Sequence, residues 1–351
     1  MDSTIKIIDL FAGVGGIRLG VERASRKLGY QTECVYTSEI DKFACEIYRK
    51  NFPNDNHNPL NDVTKCDEKS LDDFNLLLAG FPCQAFSIAG RRGGFEDTRG
   101  TLFFDVARII KEKQPDAFLL ENVKGLINHK GGKTLSTILK VLKDDLGYNS
   151  TQFTVLNAKY YGVPQNRERI YIVGFKNGGG TFEFPDNNTM EACIEDIIEE
   201  NEVSPRFYVS DTSLISMKKH KERHKSKGNG FGYEIKDMDG IANAIVIGGM
   251  GKERNLIVDN RLTNFTPETK IQGEINKEFI RRMTPLEWER LQGFPDNWTE
   301  GVSNTQRYKQ MGNSVAVPVI EAISYNLIKE LFNPSPFVDK TKLQIELEFN
   351  D

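Results

Sequence analysis

The sequence predicts an α/β fold in which a doubly wound sheet is joined to a second, smaller domain. Three observations predict it. Short apolar runs alternate with helical stretches over the first 175 residues, polar or glycine-rich segments follow the ends of those runs, and the alternation stops near Gly178-Gly179-Gly180. Strands that alternate with helices favour a parallel sheet covered on both faces. In such sheets ligands bind at the carboxyl ends of the strands.

The elements of this sheet are predicted in order from periodicity and turn residues. The strands are short runs rich in branched apolar residues, at residues 5–10, 32–38, 76–79, 117–121 and 170–175. The helices lie between the strands. The first ends near residue 28, and the others span residues 41–51, 102–113 and 133–146. The first strand ends in a glycine turn, and Phe52-Pro53 closes the second helix.

The composition predicts a second domain after the glycine run. We divide the chain into a large domain at 1–185, a small one at 186–282 that is richer in Gly, Asn and charge, a returning segment at 283–335, and a tail at 336–351. The returning segment contains a predicted helix at 319–331 that could pack on the large domain. The tail alternates in polarity and reads as an edge strand or a segment ordered on contact.

Composition excludes several classes of protein. With 38% hydrophobic and 27% charged residues the chain is typical of a globular protein, and we find neither an apolar run of about 18 residues nor a signal peptide. The five cysteines are an odd number with no close pairing, which indicates free thiols in the cytoplasm. With four histidines and no Cys/His cluster of zinc-ligand spacing, we expect no metal.

Charge alone does not indicate a nucleic-acid partner, because the net charge is −4. The local distribution is more informative. Residues 218–227 read KKHKERHKSK, with six Lys/Arg against one Glu. Such a run can neutralise phosphates, although taken alone it is more typical of a solvated helix face.

The turn after the first strand reads DLFAGVGG, and glycines there let the backbone approach a ligand closely. The spacing is not that of a dinucleotide fingerprint, since position 18 is Arg. Glu39 ends the second strand, 24 positions after Gly15, and can accept hydrogen bonds from a ribose diol. Asp62 could hold an adenine amino group. The alternative interpretations are that the glycine turn serves only packing and that Glu39 and Asp62 only make the surface soluble.

Cys83 is the candidate nucleophile. It lies in Gly80-Phe81-Pro82-Cys83-Gln84, a turn at the end of a buried strand, where a thiol is well placed to attack a ligand. The commoner fate of a free cysteine is a small buried side chain, and the other four cysteines read that way.

Glu121 follows another buried strand, where a carboxylate can have a raised pKa and hold a proton. Arg167 and Arg169 precede the late strand and could place guanidinium groups at the same edge. The alternative is a structural ion pair with Glu168 or Glu121.

Six segments occur in a fixed order along residues 5–330: DLFAGVGG, GFPCQAFS, ENVKG, QNRERIYIVGF, RRMTPLEWERLQGFP and YKQMGNSVAVP. Together they resemble the motif set of the DNA cytosine-5 methyltransferases of bacterial restriction–modification systems. The segments KERHKSKGNGFGYEI and DGIANAIVIGGMGKERNLIVDNRLTNFTP are similar to the target-recognition region of HpaII-type members of that family.

The resemblance implies a Rossmann-like sheet that binds S-adenosylmethionine, a target-recognition domain at 186–282, and a reaction on double-stranded DNA. A methyl group would pass to carbon 5 of a flipped-out cytosine, the inner one of CCGG, leaving S-adenosylhomocysteine. The enzyme would act as a monomer. A cognate restriction endonuclease would be a functional partner only.

The resemblance also assigns site residues. Cys83 would attack carbon 6, Glu121 would bond ring nitrogen 3, Arg169 would hold the base carbonyl, and Arg167 the backbone or the loop. The implied cofactor-binding residues are Phe11, Gly13, Gly15, Glu39, Ile40, Asp62, Val63, Phe81, Leu102, Asn313 and Val315. Ile40 stands where the family usually has a stacking aromatic. The candidate DNA-binding residues are Ser87, Arg91, Arg92, Lys225, Lys227, Asn229, Phe231 and Arg254, and residues 87–98 would close over the base as a lid or form an ordinary surface loop.

Three rival functions fit the sequence less well. An RNA methyltransferase on the same scaffold would need no full recognition domain, yet about 100 residues fill that role here. A non-catalytic DNA-binding protein would be expected to lack Cys83, Glu121 or the glycine turn. A dehydrogenase would need the dinucleotide spacing that is missing.

Overall fold

The computed structural model describes residues 4–82, 102–187, 191–230, 232–248 and 251–337. At its centre is a six-stranded sheet in the order β2-β1-β3-β4-β7-β5. Its strands are β1 (Thr4–Leu10), β2 (Gln31–Ser38), β3 (Leu76–Gly80), β4 (Ala117–Val123), β5 (Gln152–Asn157) and β7 (Glu168–Phe175), and the short β6 (Gln165–Asn166) lies outside it. Strands β1 to β4 are parallel to one another.

Helices cover both faces of the sheet, which confirms the doubly wound α/β fold. In the large domain they are α1 (Gly16–Lys27), α2 (Lys42–Asn51), α3 (Leu102–Lys113) and α4 (Lys133–Lys140), and α8 (Val317–Phe332) returns to the sheet near the end of the chain. Alternate residues of each strand face opposite sides. Leu76 and Leu78 pack with α1 and α8, whereas Leu77 and Ala79 pack with α3 and α4.

Helix α8 packs tightly along α1. Gly20 makes this possible, because a Cβ at that position would lie 2.6 Å from the Cβ of Ile320. The ring of Phe332 stacks on Tyr30 with 3.9 Å between centroids. The helix predicted at 319–331 is thus confirmed, with the bounds given above.

One strand runs against the parallel pattern that the sequence predicted. Strand β7 is antiparallel to both β4 and β5, and β5 itself was not predicted. Only residues 158–167 separate β5 from β7, whereas a parallel crossover needs a dozen residues or more. The chain therefore turns back directly, and the start of β7 comes to the edge where β1 to β4 end, with Arg169 opposite Val123.

Residues 191–282 form a less regular region. It contains α5 (Asp211–Lys225) and the short strands β8 (Ala242–Asn243), β9 (Leu256–Val258) and β10 (Ile280–Arg282). Strand β10 pairs with β9, and β8 pairs with β6 of the large domain. Two small apolar clusters lie within the region, while Ala242, Ile245 and Ile257 share a core with Trp288.

Two further helices, α6 (Pro285–Leu291) and α7 (Asn304–Asn313), link this region to α8. Among the described residues no helix is both long and apolar enough to cross a membrane.

Candidate active site

A cavity of about 710 Å³ opens at the edge where β1 to β4 end and β7 begins. Of the eleven cofactor-binding residues expected from the sequence, ten line it: Phe11, Gly13, Glu39, Ile40, Asp62, Val63, Phe81, Leu102, Asn313 and Val315. Glu121, Arg167 and Arg169 line it as well. Residues that lie more than 300 positions apart in the sequence thus share one cavity.

Gly15 differs from this expectation, because it is not among the lining residues. It precedes α1 with a φ of 84°, and a Cβ there would collide with the ring of Phe52. Its role in the structure is the close packing of the turn against α2 and the residues that follow it. Gly13, with a φ of 56°, does line the cavity.

Glu39 is held by backbone amides on both oxygens. Oε2 accepts a hydrogen bond from Gly13 N at 2.8 Å, and Oε1 accepts from Ile40 N at 2.8 Å and Asp41 N at 2.7 Å. Each carboxylate oxygen can accept more than one hydrogen bond. Because Oε1 already accepts two hydrogen bonds and Oε2 one, Oε2 keeps an acceptor position for a hydroxyl group of a ligand in the cavity.

Asp62 is the second acid of this wall. Oδ1 accepts from Thr64 N at 3.0 Å and from Thr64 Oγ1 at 2.7 Å, and these hydrogen bonds lower the pKa of Asp62. The carboxylate is therefore charged near neutral pH and able to accept from an amino group. Its neighbour Val63 is buried and adds an apolar surface.

Ile40 projects into the solvent-facing part of the cavity, with 73% of its surface exposed. Nearby, Lys309 of α7 donates to Asp41 Oδ2 at 2.5 Å, and both residues line the cavity. No sequence pattern indicates this ion pair, because the two residues are 268 positions apart.

Glu121 and Arg169 form the charged end of the cavity. Arg169 Nε lies 3.2 Å from Glu121 Oε1, and each side chain is at most 15% exposed. Burial raises the pKa of Glu121, and the nearby Arg169 and Arg167 partly oppose this. The pair matches one of the two alternatives left open by the sequence, an ion pair with Glu121, and it also leaves both groups facing the cavity.

Arg167 is directed into the protein. Its guanidinium donates from Nη1 to the carbonyl of Ile245 at 2.9 Å and from Nη2 to the carbonyl of Ser314 at 2.5 Å. It therefore fastens the small domain and the turn before α8 to the start of β7. Burial lowers its pKa.

Asn122 is a site residue that the sequence analysis did not single out. Its Nδ2 donates to the carbonyl of Phe81 at 2.7 Å, and both residues are buried. The contact fixes the backbone two residues before Cys83. Its position directly after Glu121 was the available signal.

Several predicted residues lie outside the described part of the chain: Cys83, Ser87, Arg91, Arg92 and Phe231, together with the predicted lid at 87–98. The other DNA-binding candidates lie in the small domain, away from the cavity lining. Lys225, Lys227 and Asn229 are exposed at the end of α5. Arg254 forms an ion pair with Glu234.

One cluster of possible metal ligands occurs in the described residues that the sequence spacing did not reveal. Cys34, Asp55 and His57 bring ligand atoms within 4.8 Å of one another. Both Asp55 oxygens accept from Arg18, and His57 Nε2 lies 2.7 Å from Thr37 Oγ1. The polar groups of this cluster thus have protein partners.

The chain matches a family model described as C-5 cytosine-specific DNA methylase over residues 5–329. It is 54% identical to the Type II methyltransferase M.HpaII of Haemophilus parainfluenzae, over 93% of this chain and 90% of that protein. It is 37% identical to M.HhaI of Haemophilus parahaemolyticus, over 94% of this chain and 96% of that one.

Solved structures share the fold at low identity. The DNMT2 mutant of Spodoptera frugiperda superposes with a TM-score of 0.66 at 23% identity, covering 93% of this chain and 99% of that one. The Entamoeba histolytica methyltransferase EhMeth superposes with a TM-score of 0.68 at 21% identity, covering 94% and 98%. At this level of identity the likeness supports the α/β sheet alone.

Proposed function

The chain belongs to the C-5 cytosine-specific DNA methylases, and from this we propose that it transfers a methyl group from S-adenosylmethionine to carbon 5 of a flipped-out cytosine in double-stranded DNA. The observation that carries the proposal is the buried Glu121–Arg169 pair in the cavity that Glu39 and Asp62 also line. The two acids Glu39 and Asp62 suit a nucleoside cofactor. The charged end of the cavity, formed by Glu121 and Arg169, suits a pyrimidine.

The chemistry of the cavity wall fits S-adenosylmethionine. Glu39 can accept a hydrogen bond from a ribose hydroxyl and Asp62 one from the adenine amino group, while Phe11, Val63 and Leu102 offer apolar contacts to the purine. Asn313 and Val315 line the same cavity. When bound, the cofactor supplies an electrophilic methyl group, and no metal is required.

The protein residues make carbon 5 of cytosine nucleophilic. The Cys83 thiolate adds to carbon 6, and electron density moves through carbon 5 toward ring nitrogen 3, where a proton on Glu121 is positioned to stabilise it. Arg169 holds the base carbonyl. After methylation, water takes up the carbon-5 proton, the electron pair left behind forms the double bond between carbons 5 and 6, and the bond to Cys83 breaks to restore the thiolate.

The target base must leave the stack to reach this cavity, at a cost of about a few kcal/mol. We propose that residues 87–98 close over it and that the region at 186–282 reads bases in the major groove. The likeness to M.HpaII supports CCGG as the site, with the inner cytosine methylated and so protected from a cognate restriction endonuclease.

We further propose a cytoplasmic monomer. Four of the cysteines, Cys34, Cys45, Cys66 and Cys193, are free in the described residues, in keeping with a reducing compartment.

Base-resolution bisulfite sequencing of unmethylated DNA treated with the protein and S-adenosylmethionine tests the proposal. Protection at the inner cytosine of CCGG is expected. Protection at another site would reject the specificity and retain the reaction. No protection by folded, cofactor-bound protein would overturn the proposal, and methylation of RNA in a parallel incubation would then identify the rival substrate.

A further inference from the structure

Hydrogen bonds to β8 hold the backbone of Arg254, a residue on the surface. It lies just before β9, and the Asn243 side chain donates to its carbonyl at 2.9 Å. The next residue, Asn255, is fully buried and exchanges two hydrogen bonds with the backbone of Asn243, at 2.7 and 3.1 Å. Arg254 is therefore fixed relative to β8.

The guanidinium of Arg254 is also held. Its Nε and Nη2 each donate to Glu234 Oε1 at 3.3 Å. The other oxygen of Glu234 accepts from Lys236 Nζ at 2.7 Å and from Asn243 Nδ2 at 2.9 Å. The side chain of Lys236 is 17% exposed and that of Arg254 is 46% exposed. Of the two cations that share the carboxylate, it is thus Arg254 that presents its charge to solvent.

This arrangement leaves the outer edge of the guanidinium available. An arginine carries five N–H donors in a planar fork, and the contacts with Glu234 use the Nε side. Glu234 takes the N–H of Nε and one N–H of Nη2. The second N–H of Nη2 and the adjacent N–H of Nη1 can then meet two acceptors in one plane. The N7 and O6 atoms of guanine offer that pair of acceptors in the major groove.

Arg254 is connected to the cavity by a short series of contacts. Arg167, which lines the cavity, donates to the carbonyl of Ile245, and the amide of Ile245 donates to Gln165 Oε1 at 3.0 Å. Asn166 of β6 pairs with Asn243 of β8, which bonds Glu234. These contacts fix Arg254 relative to the residues that line the cavity, so we expect its guanidinium to face bases that flank the target cytosine.

We propose that Arg254, held in a fixed orientation by Glu234, is a specificity-determining residue that reads one guanine of the recognition site through N7 and O6. The inference rests on the proposed function, because it needs a DNA duplex at this surface. An exposed ion pair by itself adds little to stability. Recognition explains better why both the backbone and the side chain of Arg254 are fixed.

The test asks whether the Arg254 side chain contacts the N7 atom of one guanine. After bisulfite sequencing has defined the site, each guanine in it is replaced in turn by 7-deazaguanine, which lacks the N7 acceptor. For the wild-type protein, kcat/KM should fall about tenfold or more at one guanine. Arg254→Gln should lose a similar factor on unmodified DNA and then show no further loss at that guanine. The kcat/KM of Glu234→Gln on unmodified DNA should lie between those of the wild type and Arg254→Gln.

Arg206→Gln is the matched control, because Arg206 forms an exposed ion pair with Glu268 elsewhere in the same region. It should keep the wild-type response to every substituted guanine. Equal losses for wild type and Arg254→Gln at every guanine, or a site without guanine, would overturn the inference and leave the proposed function intact. No methylation of any duplex by the wild-type protein would instead overturn the proposed function.

Should Arg254→Gln be inactive on every duplex, Arg254→Lys supplies the comparison, since it keeps the charge and loses the fork. If Arg254→Lys is active but no longer distinguishes guanine from 7-deazaguanine at that position, the inference is supported. If it is active and still distinguishes them as the wild type does, the inference is overturned.

Discussion

The sheet edge and the small domain hold their polar side chains in different ways. At the edge, Glu39 follows β2 and is held by three backbone amides, whereas Glu121, near the end of β4, is held by a single ion pair with Arg169. In the small domain the strands have only two or three residues. There Arg281, fully buried, binds Asp259 at 2.7 Å and both oxygens of Glu287 at 2.7 Å.

This difference has a functional consequence. Reaction geometry at the edge depends on the sheet, which side-chain changes elsewhere leave in place. Recognition depends on side-chain contacts, so substitutions can alter it without rebuilding the fold. Edge variants should therefore change the chemical step, and small-domain variants should change stability or site preference.

The largest effect is expected at the edge. Cys83→Ala should lower kcat by roughly 10⁴- to 10⁶-fold, the range seen when a covalent nucleophile is removed. A duplex with 5-fluorocytosine at the target should trap the wild-type protein covalently, because the fluorine cannot leave as a proton does. Covalent trapping of Cys83→Ala in a denaturing gel would remove Cys83 from the mechanism.

Glu121→Gln should lower kcat by roughly 10²- to 10⁴-fold, since Gln cannot supply a proton to the base. Burial raises the pKa of Glu121, so its proton is present below that pKa and lost as the pH rises through it. The kcat/KM of the wild type should fall along that limb. Arg169 lowers this pKa, and Arg169→Met should therefore move the limb to higher pH; a limb that does not move would contradict the pairing.

In the small domain, Arg281→Met should lower the free energy of unfolding by about 3–5 kcal/mol, because the fully buried Glu287 would lose its cation, while Asp259 would keep Arg261. Urea unfolding measures this loss. Arg206→Gln, which removes an exposed cation, should leave the unfolding midpoint almost unchanged. If both variants lost the same stability, the buried network would not hold the region together as described.

The smallest effect sharpens the description of the cavity. Ile40→Trp should tighten S-adenosylmethionine binding by about 0.5–1.5 kcal/mol, because an aromatic ring there can stack on the adenine. Isothermal titration gives the affinity. Ile271→Trp, at an isoleucine that is 97% exposed and outside the cavity lining, is the control. Unchanged or weaker binding by Ile40→Trp would place the adenine elsewhere.

The sequence by itself determined the parts that depend on local pattern. Branched apolar runs predicted the four parallel strands, and their ends correctly located Glu39, Glu121 and the glycine turn at one edge. The six ordered motifs identified the family that the comparison confirms. These features can be predicted from the sequence because burial and turn formation impose periodic, short-range patterns on it.

Only the tertiary structure decided the contacts between distant segments. The direction of β7 followed from a connection too short for a crossover, and that direction is what brings Arg169 beside Glu121. Gly15 packs against Phe52 instead of lining the cavity, and Arg167 faces the backbone of Ile245. Strand pairing and side-chain contacts between distant residues have no period in the sequence, so packing alone selects them.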